Sequence, residues 1–281
     1  MPNQAPSSAH HILRLRSGRS ISYWHLPGPP GAPTLLLLHG IAVTAELNWG
    51  ASFATLCRHF QVIAPDLRGH GRSTPPPVHF RLEDCADDAV TLADALGIDR
   101  FIAVGYSMGS LIAQLLWRRH PERVGGLVLC ASSRNFLGTT GERMAALFAP
   151  AITFAARLNP LFYALSAGIL APSLLDGVHG ESRRFALAQL HQTSLTTVAS
   201  AVAAVSEFSS HSWIGTTDVP VSVLITTDDP IVPTARQRRL AQSIPHARVF
   251  TVPGDHGVCI HEPEQFSQAL LEACLAIGPT G

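Results

Sequence analysis

The sequence lacks an excess of charge of either sign. Its 281 residues include 20 lysine plus arginine and 20 aspartate plus glutamate, and only 14% of the chain is charged. A nucleic-acid-binding surface needs clustered basic side chains, and an acidic tail would appear as a run of carboxylates. We therefore expect no nucleic-acid partner. The apolar 46% of the chain is enough to fill a large core or to line an apolar cavity.

The sequence also lacks the patterns of a disulfide framework, a metal site and a leader segment. Its five cysteines are scattered, odd in number and without C-x-x-C spacing, which favours reduced thiols. The first twenty residues contain no apolar segment of the kind a secretory signal needs. The longest nearly uncharged stretch, residues 144–175, is broken by proline, arginine and glycine. We expect a cytoplasmic protein with no membrane span and no bound metal.

Apolar strands alternate with helices in both halves of the chain. Short extended runs at 10–16 and 20–26 flank a turn and predict a hairpin. Further strands are predicted at 34–38, 61–65, 100–104, 126–130, 221–226 and 247–252. Helices are predicted at 48–59, 82–96, 108–120, 234–244 and 262–277. This alternation predicts an α/β fold with a mostly parallel sheet and helices on both faces.

The alternation stops between residues 133 and 218, where the sequence is rich in alanine and leucine and interrupted by proline. We interpret this segment as a helical cap, or lid, inserted into a core domain made of residues 1–132 and 219–281. Its apolar side chains could line an acyl pocket, although helix packing explains any single one equally well. They are Met144, Leu147, Phe148, Phe154, Phe162, Tyr163 and Leu170.

The sequence GYSMG at residues 105–109 indicates a nucleophile. It has the G-x-S-x-G pattern and stands between an apolar strand and a helix, which is the context that this pattern requires. The tight turn presents the central side chain above the sheet, and the flanking glycines remove side chains that would collide there. We therefore predict Ser107 as the catalytic nucleophile.

A serine hydroxyl needs a base and a group that orients the base. In enzymes with this elbow the acid and the histidine follow the serine along the chain. His256 comes directly after the last predicted strand and is the predicted base, whereas His261, His179, His191 and His211 have weaker positions. The loop after the preceding strand contains two adjacent aspartates, Asp228 and Asp229, and both are candidates for the acid. Asp255 is a third, with a turn or cap as its default role.

An oxyanion hole needs two backbone N–H groups aimed at the developing negative charge. Met108 follows the nucleophile directly and should supply one of them. Ile41 should supply the other, since it follows His39-Gly40 at the end of an early central strand, where glycine lets the main chain come close.

Four separated segments carry a family resemblance: LLLLHG at 35–40, APDLRGHGRS at 64–73, GYSMG at 105–109, and DPIV at 229–232 with GDH at 254–256. With these segments the chain resembles α/β-hydrolase fold proteins from about residue 20 to its C terminus, apart from the inserted segment. The resemblance implies an eight-stranded sheet, a cap over the pocket and catalysis without a cofactor. It also implies Asp229 as the acid, because the acid of such proteins stands three residues before the valine of D-x-x-V-P.

Two departures narrow the expected chemistry. No extended glycine run follows Gly40, which makes lipases and hydrolases of carbon–carbon bonds less expected. The nucleophile is serine, whereas dehalogenases and epoxide hydrolases need a carboxylate to form an alkyl ester. The leading interpretation is a carboxylesterase for small to medium, apolar ester substrates. A cofactor-independent perhydrolase or oxygenase with the same triad, and a non-catalytic ligand receptor, stay open as alternatives.

Overall fold

A computed structural model describes residues 9–76, 79–135 and 179–278 of the chain. Its strands are β1 (His10–Arg14), β2 (Ser20–Leu26), β3 (Thr34–Leu38), β4 (Gln61–Pro65), β5 (Phe101–Tyr106), β6 (Val124–Cys130), β7 (Val221–Thr226) and β8 (Arg248–Val252). They form a single sheet in the order β1-β2-β4-β3-β5-β6-β7-β8. β1 and β2 pair antiparallel, as do β2 and β4, and all remaining neighbours are parallel. The predicted mostly parallel, eight-stranded sheet is confirmed.

Helices cover both faces of the sheet. They are α1 (Ala45–Leu56), α2 (Leu82–Ala95), α3 (Met108–Arg119), α4 (Gly180–Leu190), α5 (Leu195–Glu207), α6 (Thr234–Gln242), α7 (Val258–His261) and α8 (Pro263–Leu275). α1 and α8 pack on one face, and α2, α3 and α6 pack on the other. In β3, Leu36 and Leu38 face one core cluster while Leu35 and Leu37 face the other. This two-sided burial explains the continuous apolar run in the sequence.

Most elements differ from the predicted bounds by one to three residues, and three of the differences have a structural cause. Helix α1 begins at Ala45, three residues earlier than expected, because the Thr44 hydroxyl caps it by accepting the Leu47 N–H at 3.2 Å. Strand β6 begins at Val124, because it pairs with β5 from its first residue. The last predicted helix is two helices, with the single turn α7 before α8.

The inserted segment leaves and rejoins the core at one place. Asn135 and Ser209 form a β-bridge, and the Ser210 N–H donates to the Arg134 carbonyl at 2.8 Å. The described part of residues 133–218 contains the helices α4 and α5. The seven cap side chains named above as possible pocket lining lie outside the described residues. The boundaries 133–218 and the role of a cap stay predictions.

Two further expectations concern thiols and membrane spans. All five cysteines have free thiols, four of them buried. Within residues 9–76, 79–135 and 179–278, no helix is both long enough and apolar enough to cross a membrane.

The central strand β3 should dominate stability, because Leu37 is fully buried between the sheet and one helical layer. We expect Leu37→Ala to lower the free energy of unfolding by about 2–5 kcal/mol, the usual cost of such a cavity. Leu275→Ala, at a position 48% exposed, is the matched control and should cost well under about 1 kcal/mol. Urea denaturation followed by circular dichroism measures both. Equal losses for the two variants would contradict the assignment of the core.

Candidate active site

Ser107 occupies the sharp turn between β5 and α3. Its backbone has φ 52° and ψ −116°, a positive-φ conformation that costs a residue with a side chain about 1–3 kcal/mol. The Ser107 N–H donates to the Cys130 carbonyl at the end of β6 with a distance of 2.9 Å. The strained turn is thus fixed from the neighbouring strand, and it holds the serine above the carboxyl edge of the sheet.

The two glycines of the elbow are required by close backbone contacts. A Cβ atom on Gly105 would overlap the backbone of Gly109, and a Cβ on Gly109 would overlap the carbonyl group of Leu38. Neither contact involves the end of a side chain that could move away. The G-x-S-x-G spacing is therefore a steric condition for bringing β3, β5 and α3 together beneath Ser107.

The structure brings Ser107, His256 and Asp229 into one hydrogen-bonded chain. His256 Nε2 lies 2.9 Å from Ser107 Oγ, and His256 Nδ1 lies 2.7 Å from Asp229 Oδ2. A carboxylate only accepts hydrogen bonds, so Nδ1 carries the proton in the neutral ring and Nε2 is left to accept from the serine hydroxyl. This is the arrangement that a general base for Ser107 requires.

Asp229 is fully enclosed, and its carboxylate is held by donors from its own loop and from α6. Its Oδ1 accepts the N–H groups of Ile231 at 2.9 Å and Val232 at 2.8 Å. Its Oδ2 accepts the Thr226 hydroxyl at 2.8 Å and the Gln237 amide at 3.2 Å. The two lone-pair regions therefore have fixed partners, which set the direction of the carboxylate toward the histidine.

Two opposing effects act on the pKa of Asp229. Burial raises this pKa, but the hydrogen bond and charge of His256, with smaller contributions from the Val232 N–H and the Thr226 hydroxyl, outweigh it. The pKa therefore lies below its ordinary value, and the carboxylate stays ionised at neutral pH. An ionised Asp229 can stabilise the imidazolium that forms when His256 takes the proton of Ser107.

The other acid candidates point elsewhere. Asp228 is exposed, and its Oδ2 accepts the Thr227 hydroxyl at 2.6 Å. Asp255 Oδ1 lies 3.3 Å from Nδ1 of His261 and accepts the backbone N–H two residues further on. Neither carboxylate has a hydrogen bond with His256 in the part of the chain that the structure describes. The geometry thus favours Asp229, the residue that the resemblance indicates.

We expect Asp229→Asn to reduce the reactivity of Ser107 by roughly a thousandfold or more, because an amide at this position favours the wrong tautomer of His256. The measurement is the rate at which a fluorophosphonate modifies Ser107, followed by intact-protein mass spectrometry. Asp228→Asn is the matched control, one residue away and exposed, and should keep the rate within about threefold of wild type. A large loss of rate in Asp228→Asn, with little change in Asp229→Asn, would instead assign Asp228 as the acid.

The two residues predicted as oxyanion donors, Met108 and Ile41, belong to the helix after the serine and to the loop after β3. Met108 is the first residue of α3, so its N–H belongs to the helix-terminal groups that have no acceptor within the helix. A Cβ placed on Gly40 would lie 3.6 Å from the Ser107 Cβ, which shows how closely the loop after β3 approaches. The Gly40 N–H donates to Asn48 Oδ1 at 3.0 Å and is therefore engaged. The next N–H along the loop is that of Ile41, and its role stays a prediction.

His39 links this loop to the turn at residues 66–73. Its Nδ1 lies 2.7 Å from the Gly40 carbonyl oxygen, and its Nε2 accepts the Leu67 N–H at 2.8 Å. Both contacts are satisfied only by the neutral ring with the proton on Nδ1. Burial lowers the pKa of His39 to about 4, and burial together with the charge of His39 lowers the pKa of its neighbour His70 to about 3.

These two histidines should make the fold sensitive to acid. Their folded-state pKa values lie below the ordinary value of 6.5, so the unfolded chain binds more protons in this range and stability is lost as pH falls. We expect the free energy of unfolding to decline from pH 6.5 toward pH 4 by up to about 1.4 kcal/mol per pH unit for each histidine.

Urea titrations at several pH values measure this slope. His70→Leu should reduce it by about one proton, whereas Leu275→Ala, at an exposed position without a titratable group, should leave it unchanged. An unaltered slope in His70→Leu would show that His70 is not the group that titrates.

Several residues that shape the site escaped the sequence analysis. The Tyr106 hydroxyl donates to the His256 carbonyl at 2.8 Å and so fixes the loop that carries the base. Asn48 holds Gly40, and Gln237 holds Asp229, both from the first turns of helices that follow the loops concerned. Of these three residues, only Tyr106 is marked in the sequence, because it stands directly before the predicted nucleophile.

No metal centre accompanies these side chains in the part of the chain that the structure describes. Across residues 9–76, 79–135 and 179–278, no group of three or more histidine, cysteine, aspartate or glutamate side chains is placed to hold a metal ion. The described polar groups of the site are those of the serine, the histidine and the aspartate with their supports.

A family model described as the alpha/beta hydrolase fold matches residues 33–263. The chain belongs to this family, which confirms the resemblance that the four sequence segments indicated.

Relatives within the family include named hydrolases. A putative carbamate hydrolase, RutD, of Agrobacterium fabrum is 29% identical over 89% of this chain and 95% of the relative. 3-Oxoadipate enol-lactonase 2 of Acinetobacter baylyi is 24% identical over 86% of this chain and 89% of the relative. The crystal structure of a hydrolase from Pseudomonas aeruginosa matches with a TM-score of 0.83 and 27% identity, over 98% of this chain and 100% of that one. Together they support a serine-type hydrolase of this fold.

Proposed function

We propose that the protein hydrolyses carboxylic esters through an acyl-enzyme on Ser107. The observation that carries the proposal is the hydrogen-bonded chain from Ser107 Oγ through His256 to Asp229, with distances of 2.9 Å and 2.7 Å. It stands at a strained elbow whose geometry aims the serine out of the sheet. Such a constellation is recognised by its geometry and roles, and a receptor would have no use for all three groups.

Acylation begins when Ser107 Oγ attacks the ester carbonyl carbon. His256 Nε2 takes the hydroxyl proton, and the ionised Asp229 stabilises the resulting imidazolium. The N–H groups of Ile41 and Met108 bind the oxygen of the tetrahedral intermediate, where negative charge develops. His256 then returns the proton to the leaving alkoxide, and the acyl group remains on Ser107.

Deacylation repeats the same steps with water in place of the serine. His256 removes a proton from the water molecule, the hydroxide attacks the acyl carbon, and the same two N–H groups bind the oxyanion. The carboxylic acid leaves as the proton returns to Ser107. No step requires a cofactor, because each proton and each developing charge has a partner in the chain.

The acyl substrate class follows from what the site and the relatives share. Esters, lactones and carbamates all present a carbonyl carbon bonded to a leaving oxygen or nitrogen, and relatives of this chain are named for a lactone and for carbamate. The same attack by Ser107 opens each of them. We propose that residues 133–218 form a cap over the site and that their apolar composition favours small to medium, apolar acyl groups.

A panel of p-nitrophenyl esters with acyl chains from two to eight carbons, together with a p-nitrophenyl carbamate, tests this proposal. We expect ester hydrolysis by the wild type and a loss of at least about a thousandfold in Ser107→Ala. Ser182→Ala, an exposed serine on α4, is the matched control and should retain the full rate. Mass spectrometry of acid-quenched protein should show the acyl group on Ser107.

Each part of the proposal has an outcome that would contradict it. Hydrolysis that persists in Ser107→Ala, or an acyl group on another residue, would remove Ser107 as nucleophile. Tight ligand binding without turnover would favour a receptor. Rates that fall steadily with acyl-chain length would contradict the apolar preference, and a large gain on addition of peroxide would favour perhydrolysis.

A further inference from the structure

The five-residue loop that carries Ile41 contains a strained residue. This segment, residues 40–44, is called the oxyanion loop below; it lies in the connection 39–44 between β3 and α1 and holds Ala42 at φ 67°. An alanine in this left-handed region costs about 1–2 kcal/mol relative to an ordinary conformation. Such a residue persists only where the surrounding structure over-determines it. The contacts at the two ends of the loop therefore decide where the Ile41 N–H points.

The first end of the oxyanion loop is held by the core domain alone. The Gly40 N–H donates to Asn48 Oδ1 at 3.0 Å, and the Gly40 carbonyl accepts from His39 Nδ1 at 2.7 Å. The backbone N–H and carbonyl of Gly40 are thus both held by buried side chains.

The second end is held partly by the inserted segment. The Thr44 hydroxyl donates to Gln189 Oε1 of helix α4 at 2.7 Å, across 145 positions in the chain. The Ala45 N–H donates to Asp66 Oδ1 at 2.9 Å, which is a core contact. Beside these bonds, Val43 packs against Ala186, one turn before Gln189 on the same helix. Helix α4 therefore touches the oxyanion loop through a polar and an apolar contact.

The Gln189 side chain is buried, and its hydrogen bonds leave the amide little freedom to rotate. Gln189 is only 8% exposed, and its Nε2 donates to Glu46 Oε2 at 2.8 Å. Its Oε1 accepts from the Thr44 hydroxyl at 2.7 Å and from the Gln192 amide at 3.1 Å. A buried amide whose Nε2 lost its acceptor would carry an unmet hydrogen-bonding cost. These hydrogen bonds restrict the orientation of the Gln189 amide, which links helix α4 to the start of α1. This link is called the clamp below.

We propose that Gln189 is a positioning residue for the oxyanion hole: it holds Thr44, keeps Ala42 in its strained conformation and thereby aims the Ile41 N–H at the substrate oxygen. The inference rests on the proposed acyl transfer at Ser107. The contact of α4 with the core then stabilises the transition state. It contributes little to the affinity for the bound ester. When the clamp is removed, Ala42 relaxes and the Ile41 peptide turns away.

The first test separates the rate of turnover from substrate binding. Gln189→Leu removes the hydrogen bonds of the amide to Thr44, Glu46 and Gln192 and keeps a side chain of similar bulk. We expect kcat for a p-nitrophenyl ester to fall by about tenfold or more with KM within about twofold, since a misaimed oxyanion donor weakens the transition state selectively. The inhibition constant of phenylboronic acid, which forms a tetrahedral anion on the serine, should rise in the same proportion. Arg184→Ala, exposed on α4, is the control and should match wild type.

The second test asks whether the strain at Ala42 is what Gln189 holds in place. Glycine adopts a positive φ without the cost that alanine has, so Ala42→Gly should weaken the dependence of the loop on its clamp. We expect the fold reduction in kcat caused by Gln189→Leu to be at least about threefold smaller in the Ala42→Gly background than in the wild type. Two independent sites would give the same reduction in both backgrounds. A purely structural role of Gln189 would lower the melting temperature and leave this coupling at zero.

The outcomes distinguish this inference from the proposed function. Loss of activity in Ser107→Ala together with an unchanged kcat in Gln189→Leu would overturn the inference and keep the hydrolase. A rise in KM with constant kcat, or equal losses in both Ala42 backgrounds, would also overturn it. Full activity in Ser107→Ala would instead reject the proposed function. Thermal melting of each variant shows whether the protein remains folded, and Gln189→Met, which also removes the amide but keeps a longer flexible side chain, offers a second variant if Gln189→Leu is unstable.

Discussion

Two glycines allow the backbones of a strand, a turn and a helix to touch beneath Ser107, and the rest of the site is arranged around that contact. Because Gly109 lies against the Leu38 carbonyl, the helix that begins at Met108 starts within reach of the loop that follows β3. One close approach therefore brings together the nucleophile and both predicted oxyanion donors. The strain at Ser107 is the cost of this arrangement, and the bond to Cys130 helps to hold it.

The polar groups of the site are buried, and each has a hydrogen-bond partner from a neighbouring residue. Asp229 has four donors besides the histidine, His256 has its backbone held by Tyr106, and Gly40 has both of its backbone groups engaged. Buried polar groups that lack partners are costly, so such a network adopts few alternative arrangements. The reacting atoms consequently need little reorganisation when charge develops on the substrate.

The sequence predicts those parts of the molecule that are local in the chain. The strands are visible because burial on two faces leaves continuous apolar runs, and the elbow is visible because its steric demand falls on five consecutive residues. Asp229 and Asp228 could not be separated by residue type or placement, because the difference is the orientation of one turn, in which only Asp229 accepts the N–H of Val232. Asn48 and Gln189 leave no periodic signal, since their effect depends on contacts across the fold.

The Asn135–Ser209 bridge pairs residues near the two ends of the predicted insertion, so this segment would start and finish at neighbouring points of the fold. Recombination between relatives could therefore exchange this segment as a unit. The clamp at Thr44 adds a condition to such an exchange. A replacement segment would bring its own pocket walls, but it would also have to present a hydrogen-bond acceptor to the start of α1 if the exchanged enzyme is to keep its rate. On the proposed mechanism, an exchange that changes substrate choice is therefore constrained by one amide outside the catalytic triad.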